Sequence, residues 1–113
     1  MGFAHFLFLF FFFGVTDMKE SDFQAKLIKE LKVLFPGCIV LKNDATYKQG
    51  IPDILILFNN KWAALECKRS SKASRQPNQE YYVDKMNDMS FASFVCPENK
   101  EEVLNAIQQA FRS

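Results

Sequence analysis

A chain of 113 residues with a formal net charge of +1 has room for one small domain and one core, and its overall charge gives no pull toward nucleic acid. Cys38, Cys67 and Cys96 are odd in number and lack paired spacing, which argues against a disulfide framework or a zinc site and fits a reducing compartment. The chain opens on Phe3 to Phe13, an apolar run interrupted only by His5 that holds seven of the thirteen phenylalanines. The run is too short to span a bilayer, which takes about 20 residues, and it lacks the basic start and small-residue cleavage site of a secretory signal. We expect translation to start naturally at Met18. Phe and Leu codons make a T-rich leader, and Gly14-Val15 is encodable by GGAGTN, which resembles a ribosome-binding site. Residues 1–17 are then a leader outside the fold, and 18–113 form the domain, with no stable membrane partner expected. A membrane-surface anchor is the competing reading of the leader.

From about Asp17 to Phe35 the pattern is helical. Asp17 and Glu20 have capping-box spacing, and Phe23, Leu27, Ile28, Leu31, Leu34 and Phe35 recur with a period of about 3.6. At about 100° per residue the centre of this apolar stripe falls almost on Glu20, with Gln24 close by. A carboxylate in the first turn is ordinarily explained by the helix dipole. Pro36-Gly37 stops the helix, and Cys38 to Lys42 reads as a short strand. A polar loop carrying Lys48 follows and closes at Gly50.

Ile54 to Phe58 and Trp62 to Leu65 read as two strands joined by an Asn59-Asn60 turn, a dipeptide that tolerates positive φ. With a two-residue loop the paired positions sum to 119, and Asp53 lies across from Glu66. Facing carboxylates repel, so a purely structural ladder avoids that pair, whereas a bound divalent cation turns it into a site. A three-residue Asn59-Asn60-Lys61 loop would put Cys67 opposite Asp53 and separate the carboxylates. Side chains alternate along a strand, so Lys68 shares the face of Glu66 and Cys67 points to the other.

A serine-rich basic stretch runs from Arg69 to Arg75, and Pro77 suits the first turn of a second helix reaching about Asp88. Tyr82, Val83, Met86 and Met89 are expected to face inward, with Gln79 on the same side. Phe91 to Cys96 is a fourth strand, and a last helix begins at Asn99 as N-cap with Glu102 three residues on. Its buried stripe is Val103, Leu104, Ile107 and Phe111. The order αβββαβα makes the fourth strand parallel to its partner through a helical crossover. The fold class is thus mixed α/β, a four-stranded mixed sheet with helices packed on it.

Hard oxygen donors such as Asp53 and Glu66 suit Mg²⁺ or Mn²⁺, with the Cys67 backbone carbonyl as a third protein ligand and Glu20 as a further acid. Between Lys42 and Arg75 lie seven Lys or Arg and three acids, Asp44, Asp53 and Glu66. A basic run around a carboxylate pair suits a phosphodiester substrate, although a solvated loop has the same composition. Lys48, Arg69, Lys72 and Arg75 are the DNA-contacting candidates. The ordinary reading of Glu66 and Lys68 is an exposed cross-strand ion pair.

Glu20 and Gln24 on a first helix, Gly50-Ile51-Pro52-Asp53, Glu66-Cys67-Lys68 and Gln79 on the next helix resemble, in that order, the PD-(D/E)XK nuclease superfamily. Within it they most resemble the VRR-NUC (virus-type replication-repair nuclease) family, over nearly all of Met18 to Ser113. The resemblance implies a restriction-endonuclease-like αβββαβ core with a C-terminal helix and Mg²⁺- or Mn²⁺-dependent hydrolysis of DNA. It implies Asp53 and Glu66 as metal ligands, Lys68 as the catalytic lysine, Glu20 as the acid of the first helix and Gln79 as a contributor to the site. It further implies a homodimer acting on branched DNA such as Holliday junctions or flaps, many relatives being phage proteins that work in the cytoplasm of a bacterial host. Where the family commonly has a glycine after the second helix, this chain has Asn87-Asp88-Met89-Ser90. A non-catalytic DNA-binding module retaining the fold is the contending expectation.

Overall fold

The computed structural model describes residues 19–113. The apolar leader, the Met18 start and Asp17 lie outside the described residues. Helix α1 spans Glu20–Leu34, and its N-cap is Lys19, with no side-chain cap bond. This corrects the expected capping box. The Phe23 amide already donates to the Lys19 carbonyl (3.0 Å), so Glu20 is the first helical residue and not the third. Phe23, Leu27 and Leu31 are its buried stripe, and the Phe35 amide closes the last turn on Leu31.

Strands β1 (Ile39–Lys42), β2 (Ile54–Phe58) and β3 (Lys61–Cys67) form an antiparallel meander. Helix α2 (Pro77–Met89) then crosses over, and β4 (Phe91–Val95) pairs with β3 in parallel. Helix α3 spans Lys100–Arg112, and the sheet order is β1-β2-β3-β4. The architecture expected from the element order is therefore the one observed: a four-stranded mixed sheet with three helices among the described residues.

Alternation splits the sheet's residues between two layers. Ile54, Ile56, Ala63, Leu65, Cys67 and Val95 face α1 and α3, packing on Leu27, Leu31, Val103, Leu104 and Ile107. Ala64, Ala92 and Phe94 face the other way, toward Val83 of α2. Helix α2 lies over β3 and β4, while on edge strand β1 Ile39 and Leu41 are exposed. Phe35, Phe58 and Phe111 meet with ring centroids 5.0–5.8 Å apart and seal the hairpin-turn end of the sheet.

The hairpin loop has two residues: Phe58 pairs with Lys61, and Asn59 takes φ 56°, the left-handed conformation that asparagine accepts. Every pair from Phe58–Lys61 to Ile54–Leu65 sums to 119, so the ladder carries Asp53 to the position across from Glu66.

Two further expectations are corrected. Met89 is exposed, because it is the last residue of α2, where the chain turns back into β4. Asn99 is the N-cap of α3, yet its side chain does not cap it. Its Oδ1 accepts from the Cys96 amide (2.8 Å) and its Nδ2 donates to the Phe94 carbonyl (3.2 Å), satisfying backbone groups at the end of β4. No described helix is long and apolar enough to cross a membrane.

Candidate functional site

The residues singled out in the sequence converge where β3 ends, β2 begins and the first turns of α1 and α2 start. Asp53 is held there by a backbone frame. Its carbonyl accepts from the Asn43 amide (2.8 Å), the Asn43 side chain donates to the Pro52 carbonyl (2.6 Å), and Pro52 is fully buried. Thus fixed, Asp53 accepts the Cys67 amide at its Oδ2 (2.9 Å). That single bond ties the start of β2 to the end of β3 and aims the Asp53 carboxylate beside Glu66.

Glu66 is only 4% exposed, and among the described residues it is the buried acid of the domain. Its Oε2 accepts from Gln79 Nε2 (3.2 Å), and Gln79 Oε1 accepts from Lys68 Nζ (2.8 Å) and from the Gln76 amide (3.0 Å). An ammonium needs an acceptor and a carboxylate needs a donor, so only one orientation of the Gln79 amide serves both. The Gln76 bond fixes that amide at the helix start, and the Lys68 amide continues the sheet by donating to the Val95 carbonyl (2.8 Å). Glu66, Gln79 and Lys68 therefore form a side-chain relay whose middle member is anchored to the backbone.

Charge is crowded here. Burial pushes the Glu66 carboxyl up to about 8, aided by Asp53 and Glu20 and opposed by Lys68 and the Asp53 amide. Burial raises Asp53, against the Cys67 amide and Lys68. Glu20 is an exposed residue at the start of α1, yet burial of its carboxyl and the Asp53 charge raise it, while Lys68 and Arg69 pull the other way. Glu20 is thus within electrostatic reach of the pair. Asp53 raises both Glu20 and Glu66, Glu20 raises Glu66 in turn, and a cation among them would relieve that crowding.

The donor chemistry fits a hard cation. Asp53 Oδ1 accepts no bond among the described residues, and Glu66 has a single neutral side-chain donor. No three His, Cys, Asp or Glu side chains among the described residues close into a ready-made metal cage. A magnesium-type ion does not need one, since it keeps several waters and takes one or two carboxylates. Cys67 points into the opposite layer, where burial raises its thiol to about 12 against a hydrogen bond from Gln24, so it packs as a small hydrophobe. All three cysteines are free.

The basic candidates surround this cluster unevenly. The Arg75 guanidinium lies 4.0 Å from the Phe94 ring centroid, and Lys48 Nζ lies 5.4 Å from that of Tyr82. Arg69 and Lys72 are exposed in the loop after β3, which is pinned where Ser71 donates its amide and hydroxyl to Glu98 (both 3.0 Å). A separate apolar hollow of about 330 Å³ lies between α1 and α3, lined by Val33, Leu34 and Leu104 and by none of the candidate residues.

Sequence reasoning missed three positioning devices: the Asn43 clasp on Pro52 and Asp53, the Gln76 amide that holds Gln79, and the contact of Gly50 with Asn78. A Cβ on Gly50 would stand 2.7 Å from Asn78 Cγ. A lone glycine closing a polar loop was the only signal of the third. Comparison with protein-family models, with curated proteins and with solved structures returned no match.

Proposed function

We propose that the chain is a Mg²⁺- or Mn²⁺-dependent DNA endonuclease of the PD-(D/E)XK type, resembling the VRR-NUC family. The observation that carries the reading is the anchored Glu66–Gln79–Lys68 chain beside Asp53, two carboxylates and an ammonium held at one strand end. Folding alone gives no reason to bury Glu66 next to Asp53. In this reading Asp53, Glu66, the Cys67 carbonyl and Glu20 hold the ion. A bound ion of this class supplies Lewis acidity and a water made nucleophilic near neutral pH. Lys68, held by Gln79, faces the charge that develops as the water oxygen adds to phosphorus and the bond to the leaving oxygen breaks. Lys48, Arg69, Lys72 and Arg75 hold the backbone phosphates, which position DNA without reading its sequence. The substrate is branched DNA, of Holliday-junction or flap type, the working form a homodimer, and the setting the cytoplasm of a bacterial host during phage replication, recombination or repair.

The absence of a closed three-acid cluster among the described residues favours one competing reading, a non-catalytic DNA-binding module with the same fold. Incubating the full chain with linear duplex, flap and four-way-junction DNA in Mg²⁺, Mn²⁺ or EDTA separates the two. Metal-dependent cleavage is expected, reduced about 100-fold or more by Asp53→Asn and by Lys68→Ala. Cleavage that survives either substitution sinks the site assignment, and binding without cleavage in any metal establishes the module.

A further inference from the structure

Helix α2 and the loop between β1 and β2 carry an aromatic and basic surface that the core does not use and of which the candidate site claims only Lys48. Tyr81 and Tyr82 meet edge to face with ring centroids 5.0 Å apart. Lys48 Nζ lies over Tyr82 at 5.4 Å and Lys85 Nζ over Tyr81 at 5.9 Å, so two ammonium groups flank the tyrosine pair. Lys48 comes from the loop between β1 and β2, whose tip presents Tyr47 with 90% of its surface exposed. Tyr81 is 56% exposed, and Tyr47 has no aromatic partner among the described residues. The loop is fastened to α2 at Gly50, which leaves no space for a side chain against Asn78. Gln79, one residue beyond Asn78, is the residue that joins Glu66 to Lys68. The surface is therefore built onto the same helical turn as the cluster.

We propose that Tyr47 and Tyr81, with Lys48 and Lys85, form a stacking platform for unpaired nucleotides of single-stranded DNA lying next to the candidate site. This rests on the reading of the chain as a DNA-acting protein and adds a substrate feature to it: unpaired bases beside the bond that is cut. An open aromatic face stacks on a base only when that base is free of its own stack, while ammonium groups nearby take the phosphates. A duplex presents base edges in its grooves and offers the tyrosines nothing equivalent. Acids border the platform and set its direction. Glu80, Asp84 and Asp88, spaced four apart, form a row along α2 directly beside Tyr81 and Lys85, on the side away from Tyr82, and Asp44 in the loop is engaged with the Thr46 amide and hydroxyl. The strand is thereby kept to the Lys48 side of the tyrosine pair.

The test is equilibrium binding of the full chain in EDTA to fluorescein-labelled oligo(dT), to a blunt duplex of equal length and to oligo(U). Tyr47→Ala and Tyr81→Ala are each expected to weaken oligo(dT) binding by roughly 5- to 100-fold, the range of one lost base stack, and to leave duplex binding unchanged. Tyr47→Phe and Tyr81→Phe, which keep the ring, are expected to bind as the parent does. Thermal melting of the alanine variants should match the parent, since neither ring is packed in the core. Equal losses on duplex and single strand, no loss on oligo(dT), or tighter binding of oligo(U) than of oligo(dT) would overturn the proposal. Cleavage is a separate readout. A protein that stacks single strands through these tyrosines and never cuts refutes the nuclease reading alone, and one that cuts with both tyrosines dispensable refutes the platform alone.

Discussion

Strand β3 shows two unlike surfaces along a single run of residues. Toward α1 and α3 it presents Ala63, Leu65 and Cys67, each fully buried among apolar neighbours. Toward α2 it presents Trp62, Ala64 and Glu66, and at Glu66 the apolar character stops although the burial does not. One face is explained by packing as far as Leu65, and only at Cys67 does it meet polar partners, Gln24 and Asp53. The other accepts, at its last position, a carboxylate that burial and Asp53 drive up to about 8. A cost placed at one strand end and held there by Gln79 and Lys68 marks where the domain departs from what folding alone selects.

The largest effect that sharpens this contrast lies on the packing face. Leu65→Ala removes a side chain that is 0% exposed and leaves a cavity between α1, α3 and the sheet. Chemical denaturation should show a loss of about 2–5 kcal/mol. A loss under about 1 kcal/mol would mean that the α1–α3 layer repacks freely and that packing does not explain this face of β3.

A smaller effect is expected where the site face meets the loops, and two glycines isolate it. Gly37 and Gly50 have nearly the same backbone, φ 89° and φ 88°, so alanine at either meets the same left-handed strain, about 1–2 kcal/mol. They differ in surroundings. A Cβ at Gly37 meets nothing within 4 Å, while one at Gly50 falls 2.7 Å from Asn78 Cγ and 2.9 Å from the Asn78 carbonyl carbon. Gly50→Ala should therefore destabilise more than Gly37→Ala and also push the first turn of α2 away from Lys68. Paired melts of the two variants measure the difference. Equal destabilisation would show that the loop does not brace α2.

Much of this was legible because the hairpin is short and strongly patterned. The two-residue turn fixed the 119 sum, and that sum places Asp53 opposite Glu66 with no long-range information. Strand alternation placed Lys68 and Glu66 together for the same reason. The crossover order αβββαβα was enough to predict that the fourth strand runs parallel to its partner, which the structure shows to be β3. The start of α1 was misjudged because Asp17 and Glu20 imitate a capping box, whereas the first helical hydrogen bond, from Phe23 to Lys19, decides the boundary. Asn99 sat where an N-cap belongs, but unpaired backbone groups at the end of β4 claimed its side chain. The Asn43 clasp closes a loop through side-chain and backbone bonds that no propensity pattern encodes, and the Gly50–Asn78 contact joins segments far apart in sequence, with the lone glycine as its only local trace.

The subtlest expected effect concerns pH, and its sign follows from which state binds the proton. Unfolded, Glu66 titrates near 4.5, and folded near 8. Between those values the native state keeps a proton that the unfolded state has released, so stability of the metal-free protein falls as pH rises through that window. Below about 4.5 both states are protonated at this group, and above about 8 both are ionised, so Glu66 adds no slope there. Asp53 and Glu20 are shifted upward as well and act in the same direction. Melting in EDTA across pH 5 to 8.5 should give a declining melting temperature for the parent and a clearly flatter line for Glu66→Gln, which keeps the Gln79 contact without the charge. Mg²⁺ added at the alkaline end should recover stability in the parent and not in the variant, because a cation bound among the carboxylates favours their ionised forms. A parent line as flat as that of Glu66→Gln would mean that Gln79, Lys68 and solvent already neutralise the cluster, and the electrostatic difference between the two faces of β3 would disappear.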